Sequence, residues 1–287
     1  MIGPIRSLLF APGIRPDRFD KAMNAGADAV AFDLEDSVEA GRKPEARALV
    51  AEYLLTLNTG ALRLIRFNPP GTPDGDADLD YFGGAPGIDG VVIPKVESVG
   101  AVEGVARGLA ARAPSGTAPS LFLLLETPRA ILNAAEIATA DAPVAALLFG
   151  AEDYTASLAV ERTIDGEELS FARAQIVLAA ALASADAIDA VCTDLSDNDA
   201  LQRDCVRARG LGFRGKMAIH PRQLDVINES FTPTLAEVER ARRLIDTFET
   251  TRASGHIVTT MDGQMVELPV VERARRVLAM AARQRDR

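Results

Sequence analysis

The sequence predicts an α/β protein built as a (β/α)8 TIM barrel, followed by a C-terminal helix–hairpin–helix extension. Eight short apolar segments alternate with amphipathic segments through the first 220 residues, which is the pattern of parallel strands separated by helices. No Gly-x-Gly-x-x-Gly loop follows any of the apolar segments. The competing α/β fold, an open dinucleotide-binding sheet, is therefore disfavoured.

The predicted strands are nearly continuous apolar runs rich in Val, Ile, Leu and Phe, as expected of strands that are buried on both faces. In chain order they span residues 6–12, 28–34, 62–68, 90–95, 120–126, 144–150, 187–193 and 215–220.

Between the strands lie segments whose apolar residues recur with helical spacing. The clearest of them span residues 16–26, 43–57, 99–112 and 168–185. In the first segment, Asp17 stands near the start and Gly26 at the end, and both are ordinary start and stop signals of a helix.

The pattern changes near residue 230, so we expect a catalytic barrel domain over residues 1–230 and a C-terminal extension over residues 231–287. Within the extension, residues 235–250 and 270–285 have helical periodicity, and residues 256–268 predict a hairpin that turns at Asp262-Gly263. Because a barrel does not need this extension, we expect it to act as a lid or as an oligomer contact.

Composition excludes several classes of protein. Hydrophobic residues make up 48% and charged residues 25%, with a net charge of −10, which argues against nucleic acid as a partner. No apolar run reaches the length of a membrane span, and the N-terminus lacks the apolar core of a signal peptide. Cys192 and Cys205 show no metal-site spacing. We therefore expect a cytoplasmic protein with reduced thiols.

Ionisable residues follow the predicted strands at their C-terminal ends, the edge of a barrel where active sites form. In chain order they are Asp33, Glu35, Asp36, Arg66, Lys95, Glu126, Glu152, Asp153, Asp194 and His220. The acids outnumber the bases, and clustered carboxylates repel each other unless some of them bind a cation. Oxygen ligands without cysteine favour Mg²⁺ or Mn²⁺ over zinc.

Glu126 and Asp153 end consecutive predicted strands, so we predict that both bind one Mg²⁺ ion, with Mn²⁺ as the alternative. For any single acid, a solvated loop position is the competing interpretation, and the convergence of the set favours the metal. Arg66 lies near the end of an apolar strand. It is either a partner for a neighbouring carboxylate or a fork for a substrate carboxylate or oxyanion, and the two roles are compatible.

Arg15, Arg18 and Lys21 form a basic cluster after the first predicted strand. On an acidic protein this cluster fits a phosphate or pyrophosphate group, and a solvated helix start is the alternative interpretation. His220 precedes a proline and is predicted to be structural or to support the site from outside. Neither cysteine is predicted to be a nucleophile.

Seven segments carry a resemblance to a known family. In order they read RSLLFAPGIRPDRFDKA, DAVAFDLEDSV, IRFNPP, GVVIPKVES, LLLETPRAILNAAEI, LLFGAEDYTASL and GFRGKMAIHPRQLDVINESFTPT. Together they resemble the citrate lyase β-subunit-like (CitE-like) branch of the HpcH/HpaI aldolase and citrate lyase superfamily. The resemblance implies a (β/α)8 barrel, a divalent metal that is usually Mg²⁺, and a homotrimer or dimer of trimers.

The resemblance also implies roles for individual residues. The metal ligands of the family fall on Glu126 and Asp153, and Glu126 is expected to contact substrate as well. The substrate-binding arginine falls on Arg66, which is expected to stabilise charge in catalysis. Glu35 and Asp36 match acids that hold metal-bound waters.

Two further regions follow from the resemblance. Arg15, Arg18 and Lys21 match the region that holds CoA phosphates in thioester-cleaving relatives. In malyl-CoA and citramalyl-CoA lyase relatives, the C-terminal hairpin reads DG-x-M-(I/V)-D, and its aspartate reaches a neighbouring subunit as an acid/base. Residues 262–267 here read DGQMVE, so Glu267 takes that place with a side chain one methylene longer.

The activity implied by the resemblance is that of an EC 4.1.3-type carbon–carbon lyase. It cleaves or forms a 3-hydroxyacyl thioester of the citryl-, malyl- or citramalyl-CoA type, giving a 2-oxo acid and a thioester of CoA or an acyl carrier. One alternative is a metal-dependent 2-oxo-acid aldolase acting on free aldehydes, although no histidine stands in the early strands. The other is a non-catalytic ligand-binding subunit of a complex, although Arg66, Glu126 and Asp153 are all present.

Overall fold

In the computed structural model, eight parallel strands close into a barrel in sequence order. The residues described are 5–56, 60–113, 118–163, 165–253 and 258–283. The strands are β1 (Ser7–Pro12), β2 (Ala29–Asp33), β3 (Leu62–Arg66), β4 (Gly90–Ile93), β5 (Ser120–Leu125), β6 (Val144–Phe149), β7 (Asp186–Asp189) and β8 (Gly215–Ala218). β1 pairs with both β2 and β8 and so closes the ring. The predicted (β/α)8 barrel is confirmed.

Helices follow the strands around the barrel. They are α1 (Phe19–Met23), α2 (Lys43–Leu54), α3 (Pro73–Phe82), α4 (Val99–Arg112), α5 (Pro128–Leu132), α6 (Ala134–Ala138), α7 (Ala151–Leu158), α8 (Ser170–Ala183), α9 (Asn198–Leu211) and α10 (Leu224–Phe231). The segments predicted over 99–112 and 168–185 correspond to α4 and α8, and the segment predicted over 16–26 is helical only to residue 23.

Four helices begin at a side-chain cap just after a strand or loop. The side-chain oxygens of Thr72, Ser98, Thr127 and Asp197 accept backbone N–H bonds in the first turns of α3, α4, α5 and α9. A cap of this kind stabilises a helix by about 1 kcal/mol. The caps therefore fix where the loops at the carboxyl ends of β3, β4 and β5 must turn into helices.

The side chains of neighbouring strands are closely packed in the barrel. β2, β4 and β8 are buried along their whole length, as expected for a parallel sheet covered on both faces. Gly90 begins β4, and a Cβ at this position would lie 2.5 Å from the Phe122 ring and 3.0 Å from Leu64. The close packing therefore requires glycine at this position.

The chain divides into two compact units. Ile5–Glu229 forms one unit and contains the barrel, and the residues from Ser230 onward belong to the other. Within the described ranges, no helix is long and apolar enough to cross a membrane.

The second unit is a helix–hairpin–helix, as predicted. Its elements are α11 (Leu235–Ala253), β9 (Thr259–Met261), β10 (Gln264–Val266) and α12 (Leu268–Arg283). The hairpin turns at Asp262 and Gly263, whose φ angles of 52° and 74° are those of a primed turn. A small apolar core holds the unit together and comprises Ala241, Leu244, Phe248, Val266, Val271 and Ala274. His256 lies outside the described residues.

A network of four charged side chains joins α8 and α9 to β7 and β8 of the barrel. Asp189 of β7 accepts hydrogen bonds from Arg173 of α8 at 2.9 and 2.8 Å and from Lys216 of β8 at 2.7 Å. Asp204 of α9 lies 2.8 Å from Arg173 and 2.6 Å from Lys216. Arg173, Asp189 and Lys216 are buried, so each charge depends on its partners.

We predict that Asp189→Asn lowers the free energy of unfolding by about 3–5 kcal/mol, because it leaves two buried cations with one carboxylate between them. Urea unfolding followed by circular dichroism measures the change. Arg107→Ala is the matched control, since Arg107 and Glu103 form an exposed pair one turn apart on α4, and it should shift stability by no more than about 0.5 kcal/mol. Equal effects from the two variants would contradict a stabilising role for the network.

Candidate functional site

A cavity of about 810 Å³ opens at the carboxyl ends of the barrel strands. Most of the ionisable residues expected at this edge line it. The ionisable lining residues are Arg15, Asp17, Arg18, Lys21, Asp33, Asp36, Arg66, Glu126, Glu152, Asp153 and His220. All of them belong to the barrel unit. The barrel thus brings residues from distant parts of the chain to one concave surface, the usual form of a ligand site.

Arg66, the last residue of β3, is fixed by Asp33, the last residue of the neighbouring strand β2. The Nε and Nη2 atoms of Arg66 donate to the two carboxylate oxygens of Asp33, each at 2.7 Å. The Phe10 ring lies 5.0 Å from the guanidinium carbon. Burial alone raises the pKa of Asp33, but the hydrogen bonds and charge of Arg66 outweigh it and hold that pKa below its usual range. The guanidinium is therefore held rigidly.

Glu35 is buried between two cations. Lys95 Nζ donates to Glu35 Oε1 at 2.8 Å, and Arg66 Nη1 lies 3.1 Å from Glu35 Oε2. Burial raises the pKa of Glu35 despite both cations. The next residue, Asp36, is exposed and accepts a hydrogen bond from Arg66 Nη1 at 3.3 Å. Arg66 thus shares one positive charge among three carboxylates.

Glu126 follows β5 and is only 4% exposed. The backbone N–H of Lys95 donates to its Oε1 atom at 2.8 Å. Burial and the charges of Glu35 and Asp153 raise the pKa of Glu126 to about 8, although the Lys95 N–H opposes the shift. A buried carboxylate surrounded by other acids is the environment in which a bound cation would be most stabilising.

Asp153 stands in the first turn of α7 and lines the same cavity as Glu126. Its side chain is 42% exposed, and its Oδ2 atom lies 3.8 Å from Lys95 Nζ. No group of three or more His, Cys, Asp or Glu side chains able to hold a metal is found among the described residues. Magnesium needs only one or two carboxylates and completes its coordination with water and substrate. Glu126 and Asp153 therefore fit Mg²⁺ and not a closed zinc site.

Gly150 lets Glu126 and α7 approach each other. A Cβ at position 150 would lie 2.3 Å from Glu126 Cβ and 2.7 Å from Glu126 Oε2. These distances are too short for any side chain, so the residue between β6 and α7 must be glycine for Glu126 to keep its place.

The basic cluster after β1 lines the cavity as well. Arg15 is paired with Asp17 through two hydrogen bonds of 2.8 Å. Arg15, Arg18 and Lys21 are all exposed. A ligand phosphate would compete with Asp17 for Arg15 and would find Arg18 and Lys21 on the same cavity wall.

Of the remaining strand-end residues, His220 and Glu152 line the cavity and are engaged with other partners, whereas Asp194 lies outside it. His220 accepts a hydrogen bond from the Arg222 N–H at Nδ1 and caps a short helix. The Oε1 atom of Glu152 lies 2.5 Å from Nη1 of Arg162. Asp194 hydrogen bonds to Ser196 and does not line the cavity.

Two features of the site escape sequence reasoning. Lys95 has a left-handed backbone with φ of 51°, which is uncommon for a residue with a side chain and which accompanies its contact with Glu126. No local signal marks this conformation, because glycine and asparagine are its usual signs. Gly150 precedes the acids in GAED, and a glycine at this point is the only sequence sign of the close approach to Glu126.

Comparison with known proteins gives consistent matches. The HpcH/HpaI aldolase/citrate lyase family model matches residues 6–221. The chain is 37% identical to the citrate lyase subunit beta of Leuconostoc mesenteroides subsp. cremoris, covering 96% of this chain and 93% of that protein. It is 36% identical to a (3S)-malyl-CoA thioesterase of Cereibacter sphaeroides, covering 97% and 95%.

A solved structure is similar over the same extent. The crystal structure of CitE from Mycobacterium tuberculosis in complex with magnesium, acetoacetate and coenzyme A matches with a TM-score of 0.79 and 34% identity, covering 98% of each chain.

We predict that Gly150→Ala weakens Mn²⁺ binding about tenfold or more, because the new methyl group displaces Glu126. Electron paramagnetic resonance of free Mn²⁺ measures the affinity, and circular dichroism checks the fold. Gly104→Ala is the control, since a Cβ there meets no atom within 4 Å, and it should change the affinity by less than about twofold. Unchanged Mn²⁺ affinity in Gly150→Ala would separate Glu126 from metal binding.

Proposed function

Because the chain belongs to the HpcH/HpaI aldolase/citrate lyase family, we propose that it is a Mg²⁺-dependent carbon–carbon lyase acting on a 3-hydroxyacyl thioester. Cleavage releases a 2-oxo acid and an acyl thioester, and the reverse reaction is a condensation of the same two compounds. The observation that carries the proposal is the meeting of Glu126, Asp153 and Arg66 in one cavity.

The relatives support a CoA-type thioester as the class of substrate. The M. tuberculosis CitE crystal contains magnesium, acetoacetate and coenzyme A, and the C. sphaeroides relative is named a (3S)-malyl-CoA thioesterase. In this chain, a basic cluster and a carboxylate cluster line the same cavity. We assign the phosphates of a CoA-type thioester to Arg15, Arg18 and Lys21, because phosphate is recognised by clustered cations.

Glu126 and Asp153 are assigned as the metal ligands, with Mg²⁺ as the ion and Mn²⁺ as its substitute. When bound, the ion would act as a Lewis acid on the oxygens of the substrate. Glu126 would then be ionised, since a cation beside it favours the charged carboxylate. Asp36 lines the cavity, and we assign it to accept hydrogen bonds from water around the ion. Both oxygens of Glu35 already face cations, so we assign Glu35 an indirect part in metal binding.

Arg66 is assigned to charge stabilisation. Cleavage of the C2–C3 bond turns the C3 alcohol into the carbonyl of the 2-oxo acid and leaves its electron pair on the thioester as an enolate. Arg66 lines the cavity and cannot turn away, because Asp33 holds the Nε–Nη2 edge of its guanidinium. A fixed positive charge stabilises the developing enolate more than a mobile one, since it needs no reorganisation during the reaction.

The test of the lyase assignment uses malyl-, citramalyl- and citryl-CoA with Mg²⁺, with separate assays for 2-oxo acid and for free CoA. We expect 2-oxo acid from at least one substrate, and a loss of about 100-fold or more in Glu126→Gln and in Asp153→Asn. Asp194→Asn, at an exposed position outside the cavity, should keep activity within about twofold. Release of free CoA without 2-oxo acid would indicate a thioesterase and overturn the lyase assignment.

We also propose that Glu267 supplies the acid/base group to the site of a neighbouring subunit in a homotrimer or dimer of trimers. Glu267 stands between β10 and α12 in the second unit and is exposed. The resemblance of residues 262–267 to the lyase hairpin supports this role. Glu267 would donate a proton to C2 of the enolate to give the acyl thioester, and the proton released by the C3 alcohol would pass through solvent and restore the Glu267 carboxyl.

Mixing two inactive variants tests whether Glu267 acts across subunits. Glu267→Ala and Glu126→Gln should each be inactive alone. After subunit exchange at equal concentrations, about a quarter of the sites combine an intact Glu126 with an intact neighbouring Glu267, so up to about a quarter of wild-type activity should return. A mixture of Glu126→Gln and Asp153→Asn is the control, because both residues serve the same barrel and no activity should return. Without recovery in the first mixture, Glu267 does not act on a neighbour.

A further inference from the structure

We propose that Lys95 is a resident cation that competes with the divalent ion for Asp153, and that Glu35 is the positioning residue that holds Lys95 away. The inference rests on the proposed function, since it takes Glu126 and Asp153 as the metal ligands. It gives Glu35 an indirect part in metal binding that acts through Lys95.

The backbone of Lys95 is held in place. Its φ of 51° lies in the left-handed region, and its N–H donates to Glu126 Oε1 at 2.8 Å. A left-handed conformation costs energy for a residue with a Cβ, so it persists only when its surroundings maintain it. The ammonium group therefore starts from an anchored position beside one metal ligand.

The ammonium group lies between two carboxylates. Lys95 Nζ is 2.8 Å from Glu35 Oε1 and 3.8 Å from Asp153 Oδ2. A lysine side chain is flexible and carries a compact charge. A shift of about 1 Å would bring Nζ from its present distance into hydrogen-bond range of Asp153. Lys95 is thus poised to occupy a carboxylate that the metal needs.

Glu35 is better suited to restraining Lys95 than to coordinating the divalent ion. It is 5% exposed, and its second oxygen lies 3.1 Å from Arg66 Nη1. Glu126 and Asp153 line the cavity, whereas Glu35 and Lys95, both within the described part of the chain, are not among its lining residues. With a cation beside each of its oxygens, Glu35 holds the Lys95 ammonium at 2.8 Å, and Asp153 Oδ2 is then 3.8 Å from that ammonium.

Removal of Glu35 would therefore release a competitor. Among the described residues, Asp153 is the other carboxylate that forms an ion pair with Lys95 Nζ, and an ammonium bound there would repel a divalent ion entering the same site. The consequence is specific: loss of Glu35 should weaken metal binding only while Lys95 is present.

A double-mutant cycle tests this dependence with Mn²⁺ alone as the probe. Glu35→Gln should weaken Mn²⁺ binding about tenfold or more. Lys95→Met keeps the backbone N–H and should bind Mn²⁺ at least as tightly as the wild type. The double variant should bind within about threefold of Lys95→Met, because no ammonium remains to be released.

Two results would overturn the inference. If the double variant is as weak as Glu35→Gln, Glu35 acts on the ion or on Arg66 and not through Lys95. If Lys95→Met itself weakens Mn²⁺ binding by more than about threefold, Lys95 supports the ion and does not compete with it. Asp36→Asn is the matched control, since Asp36 contacts Arg66 at 3.3 Å, and its effect should be similar with and without Lys95→Met.

A second variant guards against misfolding of Glu35→Gln. Glu35→Asp keeps the charge but shortens the reach of the carboxylate by about 1.5 Å, so it should also weaken Mn²⁺ binding in the wild type and leave it nearly unchanged beside Lys95→Met. Wild-type Mn²⁺ binding and its loss in Asp153→Asn are measured first. Their failure would reject the ligand assignment of the proposed function, whereas their success with an uncoupled cycle would reject only the role of Lys95 and Glu35.

Discussion

The crowding of carboxylates at the carboxyl ends of the strands is the constraint on which the rest of the site depends. Five acids, namely Asp33, Glu35, Asp36, Glu126 and Asp153, lie near two cations, Arg66 and Lys95, and Glu126 is bonded by the backbone N–H of Lys95 and not by its ammonium. Glu126 is nearly inaccessible to solvent and its pKa rises to about 8. A divalent cation is the simplest remedy for such an excess of negative charge, and the small, oxygen-seeking Mg²⁺ ion suits two carboxylates.

The two cations meet this constraint in different ways. Arg66 is locked by Asp33 through two parallel hydrogen bonds and lies over Phe10, so its charge stays in one place. Lys95 is anchored through its backbone N–H, whereas its flexible side chain lies within reach of the carboxylates of Glu35 and Asp153. A planar fork suits fixed recognition of an anion, whereas a compact ammonium on a flexible stem suits exchange between partners.

The ion-pair network that stabilises the barrel is separate from the charged residues at the cavity. The network of Arg173, Asp189, Asp204 and Lys216 has equal numbers of cations and anions, and each member contacts ions of opposite charge. It ties α8 and α9 to β7 and β8 and needs no further ion. At the cavity the carboxylates outnumber the cations, and this excess of negative charge favours metal binding. A site that is already neutral would gain little from binding a metal.

Local periodicity along the chain predicts the alternation of apolar strands with amphipathic helices. The sequence alone therefore determined the barrel, the hairpin turn at Asp262-Gly263 and the placement of Arg66, Glu126 and Asp153 at the carboxyl-end face of the barrel, where Asp153 lies in the first turn of α7. Family resemblance added their expected roles. The tertiary structure alone decided which acid meets which cation: that Asp33 takes Arg66, that Glu35 takes Lys95, and that Gly150 makes room for Glu126. The two ion pairs depend on barrel closure and on strand register, which place residues 33 and 60 positions apart within 3 Å of each other. Periodicity along the chain carries no record of such distances, because it reports which face a residue occupies and not which residue stands opposite.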